Sequence, residues 1–537
     1  MYLLLGAIWF AWEIKYVLFW IYLWQLKDYH VGRFIDHFKT HKGQKIFLNY
    51  EFLLKILLLG FLYFNNALLE YLFPVLVLLY SAEAFLFLRG VINKLVKKPV
   101  ETLKTIFLTT ISFIIVFLFF VWNTNFEIVE QIRQLLIFDT LTPIIITTVV
   151  LFCQPIFVLI RNNTLKKATN KINKIKSEVP LKVIAITGSY GKTSTKEFLA
   201  TILSKKYKVL KTKDNQNSEI GIAKCILENL DHSHQIFIAE VGAYNKGKVK
   251  EVCSILKPDI GIVTGVNEQH LALFGSLENL LSAEGGGELA HSLSENGILI
   301  VNGDNKYCLD LYKEKNVYNK RVYSLTNKVV DANIWTEEIE VAKDYVYFVV
   351  MDKNKEMGHF KVNVLGKHNV QNLLGAILVA RELGMGFGEI SEACKKINTQ
   401  QGGMVLEQGK HGINIINSSY SSNPDGVIAD LDYFRILDGK KVIVMPCLIE
   451  LGNKSVKIHQ KIGKKIGKIC DLAIITSKDK FEEIKKGAQE VGMPESKILL
   501  CDKPRDIYSL ITLTCKFGDS VLLEGRVPSE LIKLLNE

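Results

Sequence analysis

The sequence predicts an all-α membrane segment of about five helices, followed by α/β structure. The α/β part divides into a P-loop central domain with a parallel-rich sheet and a Rossmann-like C-terminal α/β domain. Three observations predict this. Apolar runs crowd the first 160 residues; from Leu181 onward short β-branched runs alternate with helical patterns; and a glycine turn at 188–191 joins one of those runs to a helix.

Over 537 residues the chain is 49% hydrophobic, with mean hydropathy +0.18, and the excess sits at the front. Five apolar stretches are read at about 3–26, 46–64, 67–88, 106–122 and 135–160. A membrane span needs roughly 20 apolar residues. The first stretch is too long and too aromatic for a signal peptide, and no small-residue cleavage site follows it. Residues 1–180 hold 19 Lys and Arg against 11 Asp and Glu, which is +8 of the chain's +11. A basic balance concentrated in membrane flanks excludes nucleic acid as the expected partner and makes the lipid bilayer the expected one.

Positive charge follows the first stretch (Lys27, Arg33, Lys39, Lys42, Lys45), the third (Arg89, Lys94, Lys97, Lys98, Lys104) and the fifth (Arg161, Lys166, Lys167, Lys171, Lys174, Lys176). Only Asn65 and Asn66 follow the second, and the fourth loop is acidic, with Glu127 and Glu130 against Arg133. The alternation predicts a multi-pass cell-membrane protein with its N-terminus outside and everything beyond residue 161 in the cytoplasm. Glu70, Glu83 and Asp139 fall within or near spans, where charge is costly; local pairing, as between Glu51 and Lys55, is the plainer reading. Pro143 and Pro155 are expected to kink or break the fifth helix. Nine cysteines without a CxxC pair suit a reducing compartment.

The expected domains are a transmembrane region at 1–160, a basic linker at 161–180, a central domain at 181–402 and a C-terminal domain at 403–537. Strands are expected at Val183–Ile186, Ile236–Ala239, Ile260–Thr264, Ile298–Val301, Ile413–Ile416, Val442–Val444 and Leu472–Ile475. The composition break at 397–410 marks the boundary between the last two domains.

The segment VIAITGSYGKTSTKEFL (183–199) reads as strand, glycine turn and helix. Gly188 and Gly191 let backbone N–H groups converge on phosphate oxygens, and the helix N-terminus adds partial positive charge. Lys192 reaches the outer phosphates and the Thr193 hydroxyl is placed for Mg²⁺. Ser189, Tyr190 and Ser194 complete the loop. Ile186 stands where the generic phosphate-loop pattern wants its first glycine. Glu240 ends the next strand, the usual place for a Mg²⁺-binding carboxylate. Taken alone, Glu240 reads equally as a solvated loop acid and His270 as a structural histidine.

An ordered series of segments over 181–530 resembles the Mur ligase superfamily, and most closely the branch that adds D-alanyl-D-alanine. TGSYGKTS resembles that family's ATP loop, and KDNQNSEIG (213–221) its asparagine-rich loop, pointing to Asn217 as a substrate contact. IAEVGA places Glu240 as the Mg²⁺ glutamate, and NEQHLALFGS places His270 as a second-metal ligand. LGKHNVQN (365–372) resembles the base-contacting segment, pointing to His368, Asn369 and Asn372. SSYSSNPDG (418–426) resembles SYNANP, pointing to Tyr420, Asn423 and Pro424 beside the amino substrate, and LIELG (448–452) resembles GDMLELG.

The resemblance implies an ATP- and Mg²⁺-dependent ligase. A substrate carboxylate is phosphorylated, an amine attacks the acyl phosphate, and Lys192 with Mg²⁺ offsets the charge gathered between anions. Its substrates would be a cell-wall precursor peptide and an amino acid or dipeptide. A different Mur-like ligase, of the poly-γ-glutamate or pseudomurein type, and a non-catalytic membrane scaffold are the competing readings.

Four departures bear on the choice. Where the family carries a carbamylated lysine, LSAEGGGEL has Gly286, and no Lys or Arg occurs from Pro258 to Asn305; Glu284 is expected to supply the missing carboxylate. Gly402 and Gly403 replace a family arginine, and Asn417 and Ser418 replace an acidic pair. Only residues 161–180 separate the last span from the strand that leads into the ATP loop, too few for the family's UDP-binding domain. The membrane segment then either docks a lipid-linked acceptor or anchors the enzyme beside other membrane cell-wall enzymes.

Overall fold

The computed structural model describes residues 2–27, 29–47, 50–64, 69–93, 96–213, 216–243, 245–314, 319–327, 330–419 and 422–536. Residues 1–162 and 163–537 form two compact units.

The first unit is helical. Among its described residues, Leu72–Ile92, Leu103–Asn123 and the front of Ile128–Glu178 are long and apolar enough to cross a membrane, and Phe52–Tyr63 is a shorter apolar helix. The first expected span forms the helix Tyr2–Leu26, whose apolar character is diluted by Glu13, Lys15 and four tryptophans. It packs against the helices Leu69–Ile92 and Leu103–Asn123, around a core of Trp9, Trp20, Trp24, Tyr80 and Leu135. Asn65 and Asn66 lie outside the described residues, as do the side chains of Glu51, Glu70 and Lys94.

One expectation is corrected, and a second gains a conformation. Ile128–Glu178 is a single 51-residue helix that includes Pro143 and Pro155, so neither proline breaks it; each removes one backbone donor while the turns on either side keep theirs. The expected linker at 161–180 is the end of that helix up to Glu178. Its Leu, Lys and Ala residues favour helix, and no glycine or proline occurs before Pro180.

The second unit holds two sheets. The larger contains β1 (Lys182–Thr187), β2 (Val209–Lys211), β3 (Ile236–Glu240), β4 (Ile260–Val263), β5 (Ile298–Asn302), β6 (Asn319–Ser324), β7 (Ile334–Val341), β8 (Val346–Asp352) and β9 (Met357–Val362). Their order is β2-β3-β1-β4-β5-β6-β7-β8-β9. The run from β2 to β7 is parallel, and β8 and β9 close it as an antiparallel meander. β1, β3, β4 and β5 are continuous apolar runs because helices cover both sheet faces. Leu165, Ala168, Ile172 and Ile175 of the long helix pack on one face; the helices Lys192–Leu203 and His368–Glu382 pack on the other.

The smaller sheet contains β10 (Val405–Gln408), β11 (Asn414–Ser418), β12 (Lys441–Met445), β13 (Leu472–Ile475), β14 (Ile498–Leu500) and β15 (Ser520–Glu524), ordered β10-β11-β15-β12-β13-β14. All pairings are parallel except β10 with β11. The seven expected strands correspond to β1, β3, β4, β5, β11, β12 and β13. The strands β2, β6, β10, β14 and β15 and the meander β7–β9 are not among those expected.

Candidate active site

The site is built outward from the turn between β1 and the helix Lys192–Leu203. Gly188 has φ +138°, and a Cβ there would meet Thr264 Oγ1. Gly191 has φ +77°, and a Cβ there would strike Asn372 Oδ1. Only glycine meets both demands, so the loop lies against the end of β4 on one side and against Asn372 on the other. Lys192 Nζ donates back across the turn to the Gly188 carbonyl. Ser189 N–H donates to the Gly265 carbonyl at 2.7 Å. The Tyr190 hydroxyl accepts from Asn305 Nδ2 at 3.1 Å, and burial raises the pKa of its phenol. Ser194, in the first helical turn, faces Gly403.

Glu240 closes β3 beside Ile186 of β1. Its Oε2 accepts the Thr193 hydroxyl at 3.0 Å and its Oε1 accepts Asn217 Nδ2 at 3.3 Å. Below it lies Lys196, fully buried, with Nζ 3.3 Å from Oε2. Two hard oxygen donors side by side, next to a phosphate-type loop, fit a Mg²⁺ ion by donor chemistry.

His270 stands in a second cluster. Its Nδ1 is 2.9 Å from Glu284 Oε1, and Glu284 Oε2 accepts the Ser189 hydroxyl at 3.0 Å. Glu284 is buried. Burial alone would raise its pKa, but the hydrogen bond and charge of His270, the charge of Lys192 and the Ser189 hydroxyl together hold it below the usual carboxylate range. On the far side of the ring, Nε2 is 3.8 Å from Glu450 Oε2. The structure therefore brings Thr193 to Glu240 and puts His270 with Glu284 and Glu450. The two clusters share one loop, through Thr193 and Ser189. Among the described residues no three His, Cys, Asp or Glu side chains converge as metal ligands.

Asn369 Nδ2 donates to the carbonyls of Leu365 and Gly402 at 2.9 and 3.2 Å, and its Oδ1 accepts Asn372 Nδ2 at 3.2 Å. Asn369 thus acts inside the fold, setting Asn372 against Gly191. Burial holds the His368 imidazole below its ordinary pKa, with Asp430 opposing.

From the smaller sheet, Asn423 caps the helix Pro424–Phe434 by accepting Gly426 N–H at 3.0 Å, with Pro424 in the first helical turn. Its Oδ1 also accepts Asn267 Nδ2 at 3.3 Å, and Asp425 accepts the same amide at 2.9 Å. Tyr420 lies outside the described residues. Lys454 pairs with Glu268, beside a cleft of about 490 Å³ lined by Glu268, Leu271, Ser276 and Lys454. Two buried acids adjoin Ser418. Asp430 accepts the Ser418 hydroxyl, and Glu524, at the end of β15, is driven well above the usual carboxylate range by burial and by Asp430.

Sequence reasoning missed Lys196, Asn267, Asp430, Glu450 and Glu524. Lys196 is one helical turn past Lys192 and so shares its face, a signal within reach. The others depend on contacts between distant segments.

Residues 186–380 match the family described as the Mur ligase middle domain, and residues 404–527 match the Mur ligase glutamate ligase domain; together these regions exceed half the chain. Residues 1–185 fall outside both. The UDP-N-acetylmuramoyl-tripeptide–D-alanyl-D-alanine ligase of Bacillus subtilis is 26% identical over 386 residues, covering 71% of this chain and 81% of its own. The enzyme of the same name from Borreliella burgdorferi is 32% identical over 310 residues, covering 57% of this chain and 64% of its own, so the chain spans just under two thirds of that relative. The structure of MurF ligase from Thermotoga maritima in complex with ADP shares the fold, with a TM-score of 0.60 at 23% identity over 70% of this chain and 83% of that one.

Proposed function

The chain belongs to the Mur ligase family of carbon–nitrogen ligases, and from that premise we propose that it is an ATP-dependent amide-bond ligase adding D-alanyl-D-alanine, or a related amine, to a cell-wall precursor peptide at the membrane. The observation that carries this reading is the pair of clusters anchored on one phosphate-type loop, Thr193 with Glu240 and Ser189 with Glu284 and His270. The D-alanyl-D-alanine ligase names of the relatives support the choice of amine, and the ADP of the Thermotoga maritima structure supports the nucleotide.

A carboxylate resists attack by an amine until one oxygen becomes a leaving group. In this reading it takes the γ-phosphoryl group of ATP. The amine then forms the C–N bond while the C–O bond to phosphate breaks. The chain's part is positioning and charge. Gly188–Gly191 cradles the phosphates, and Lys192 leaves the Gly188 carbonyl to meet them. Asn372, supported by Asn369, shapes the loop, and His368 lies beside the base. Mg²⁺ held by Thr193 and Glu240 would neutralise charge on the phosphates. Glu284 supplies directly the carboxylate that a carbamylated lysine gives other members, and Asn217, Tyr420 and Asn423 meet the peptide and amine.

Residues 181–402 and 403–537 serve as the central and Rossmann-like C-terminal domains of this enzyme. Residues 1–160 serve as its anchor, of about five spans with the N-terminus outside, leaving both catalytic domains in the cytoplasm beside their ATP. The test is a mass-spectrometric screen of the purified full chain in detergent, offering ATP, candidate amines, and UDP-linked or lipid-linked acceptors. An ATP-dependent product that vanishes in Lys192→Ala is the expected result; no product and no ATP binding would refute the reading.

A further inference from the structure

One end of the helical unit gathers cations that its acids do not match. Residues 27–45 and 89–104 carry ten Lys and Arg against three Asp and Glu. Two of those acids are engaged, Asp36 with Lys39 at 2.6 Å and Glu101 with Lys98 at 3.7 Å. Lys97 and Lys104 have no acidic partner among the described residues. Burial, with the charges of Lys27 and Lys97, lowers the pKa of the His37 imidazole, so the excess is felt inside the fold.

Lys104 is held in one place. It is the second residue of the helix Leu103–Asn123, and its Nζ lies 3.6 Å from the centroid of the Tyr29 ring and 4.7 Å from that of Phe157. Phe107 meets Phe157 edge-on at 5.8 Å. The turn before the helix is fixed as well. Thr102 and Thr105 each accept the other's backbone N–H. Gln25 Nε2 donates to the Val100 carbonyl at 3.0 Å, and Val100 N–H donates to Gln25 Oε1 at 2.7 Å. A lysine at the end of a spanning helix ordinarily stretches out to water. Lys104 lies half-buried over two rings instead, and rings attract an ammonium without neutralising its charge.

Leu103–Asn123 is long and apolar enough to cross a membrane, and in a bilayer its first turn lies at the depth of the lipid headgroups. The anion met at that depth is a phosphate, and the tail attached to it can run along the aromatic side chains. Basic recesses between spanning helices bind headgroups in this way. We propose that Lys104, backed by Tyr29 and Phe157 and supported by the charge of Lys97, is a binding site for the phosphate headgroup of a membrane lipid. The inference deepens the proposed function, because a phosphate-bearing lipid is what a lipid-linked acceptor would present. It rests on the membrane placement proposed there and not on the ligase chemistry.

Native mass spectrometry of the full chain in detergent follows lipid retention as phosphatidylglycerol, phosphatidylcholine or a long-chain prenyl diphosphate is titrated in. Wild type is expected to retain one anionic lipid in preference to phosphatidylcholine, whose phosphate is balanced by its own cation. One lysine near a headgroup is worth about fivefold in affinity, so Lys104→Met should weaken retention by at least that factor and Lys97→Met by less. Lys104→Arg and Lys39→Met should leave it unchanged, and thermal unfolding checks that each variant is folded. Photolabelling of wild type with a headgroup-labelled phosphatidylglycerol, which needs no variant, should mark residues 25–29 or 97–107. Tighter retention of the prenyl diphosphate identifies a lipid-linked substrate as the source, and tighter retention of phosphatidylglycerol identifies the bulk bilayer; the site stands in either case. Folded Lys104→Met with wild-type retention overturns the proposal. So does label spread evenly over the spans, or complete displacement of the lipid by millimolar inorganic phosphate. Wild type that stays soluble and monomeric without detergent removes the membrane placement itself and leaves the ligase reading standing.

Discussion

Each unit buries a lysine among acids, and the two groupings differ in what surrounds them. In the helical unit Lys55 Nζ sits 2.8 Å from Asp139 and 3.2 Å from Glu83. Tyr80 and Trp12 donate to the two oxygens of Asp139 at 2.8 and 3.0 Å, and the ammonium lies over the Trp12 ring at 4.2 Å. Glu13 accepts the Thr142 hydroxyl at 3.1 Å nearby. In the catalytic unit Lys196 meets Glu240 at 3.3 Å, but there the carboxylate also reaches Thr193 and Asn217 at the mouth of a loop. The first grouping is buried among the helices of an apolar bundle, where Lys55 offsets part of the acidic charge. The second stands at a strand end, where one more cation has oxygen donors waiting. Buried charge alone does not mark an active site; an opening onto a strand end and a glycine loop does.

The sharpest way to break this contrast is Lys192→Ala. Removing one preorganised charge from a reacting centre costs roughly 10²–10³-fold in rate, so ATP-dependent ligation should fall by at least that much while the thermal midpoint stays put. A parallel loss of fold would make the catalytic grouping as structural as the helical one.

Lys55→Met probes the other side. Stripping one partner from a buried ion pair costs about 3–5 kcal/mol, so the variant should aggregate in detergent while ADP binding by any folded fraction is unchanged. Adding Glu83→Gln and Asp139→Asn should return much of the stability, since the uncompensated charge is then gone. If the single variant is as stable as wild type, the grouping does not balance charge.

Glu284→Gln is expected to weaken activity at limiting Mg²⁺ by about 10–100-fold, the range for a group that orients a metal ligand, with saturating Mg²⁺ restoring much of it. Unchanged activity at limiting Mg²⁺ would remove Glu284 from the site.

A smaller effect concerns pH. Burial holds His459 below its ordinary 6.5, and His368 is lowered in the same way. The unfolded chain then takes up protons before the folded one does, so stability is complete above about pH 6.5 and declines as pH falls toward the folded values. His459→Gln keeps an acceptor for Leu448 N–H and should flatten the decline of thermal midpoint between pH 6.5 and 5 without abolishing it. The smallest effect is that of Asn423→Ala, which removes a helix cap and should cost about 1 kcal/mol in denaturant unfolding.

Much of this was legible in the sequence. β1, β3, β4 and β5 are apolar on every residue or nearly so, and such runs announce strands covered on both faces. The phosphate loop was readable because glycine spacing, lysine and threonine lie within seven residues. The meander β7–β9 was harder. β9 alternates exposed and buried positions, but an irregularity between Thr336 and Glu338 breaks the pattern of β7, and no short turn signature separates the strands clearly. Pro143 and Pro155 misled because a proline deletes only one backbone donor, and a helix with many turns on either side continues past it.

The sequence by itself determined the kind of chemistry, since that depends on residues close together along the chain: Gly188, Gly191, Lys192 and Thr193 share one turn, and Glu240 and His270 sit in recognisable local settings. The tertiary structure alone decided how these acids divide, Glu240 with Lys196 and His270 with Glu284 and Glu450. Glu284 lies 14 positions and Glu450 180 positions from His270, and no local pattern encodes which carboxylate a distant fold will set against a ring. Only the packing of two sheets, each with its own hydrophobic core, makes that choice.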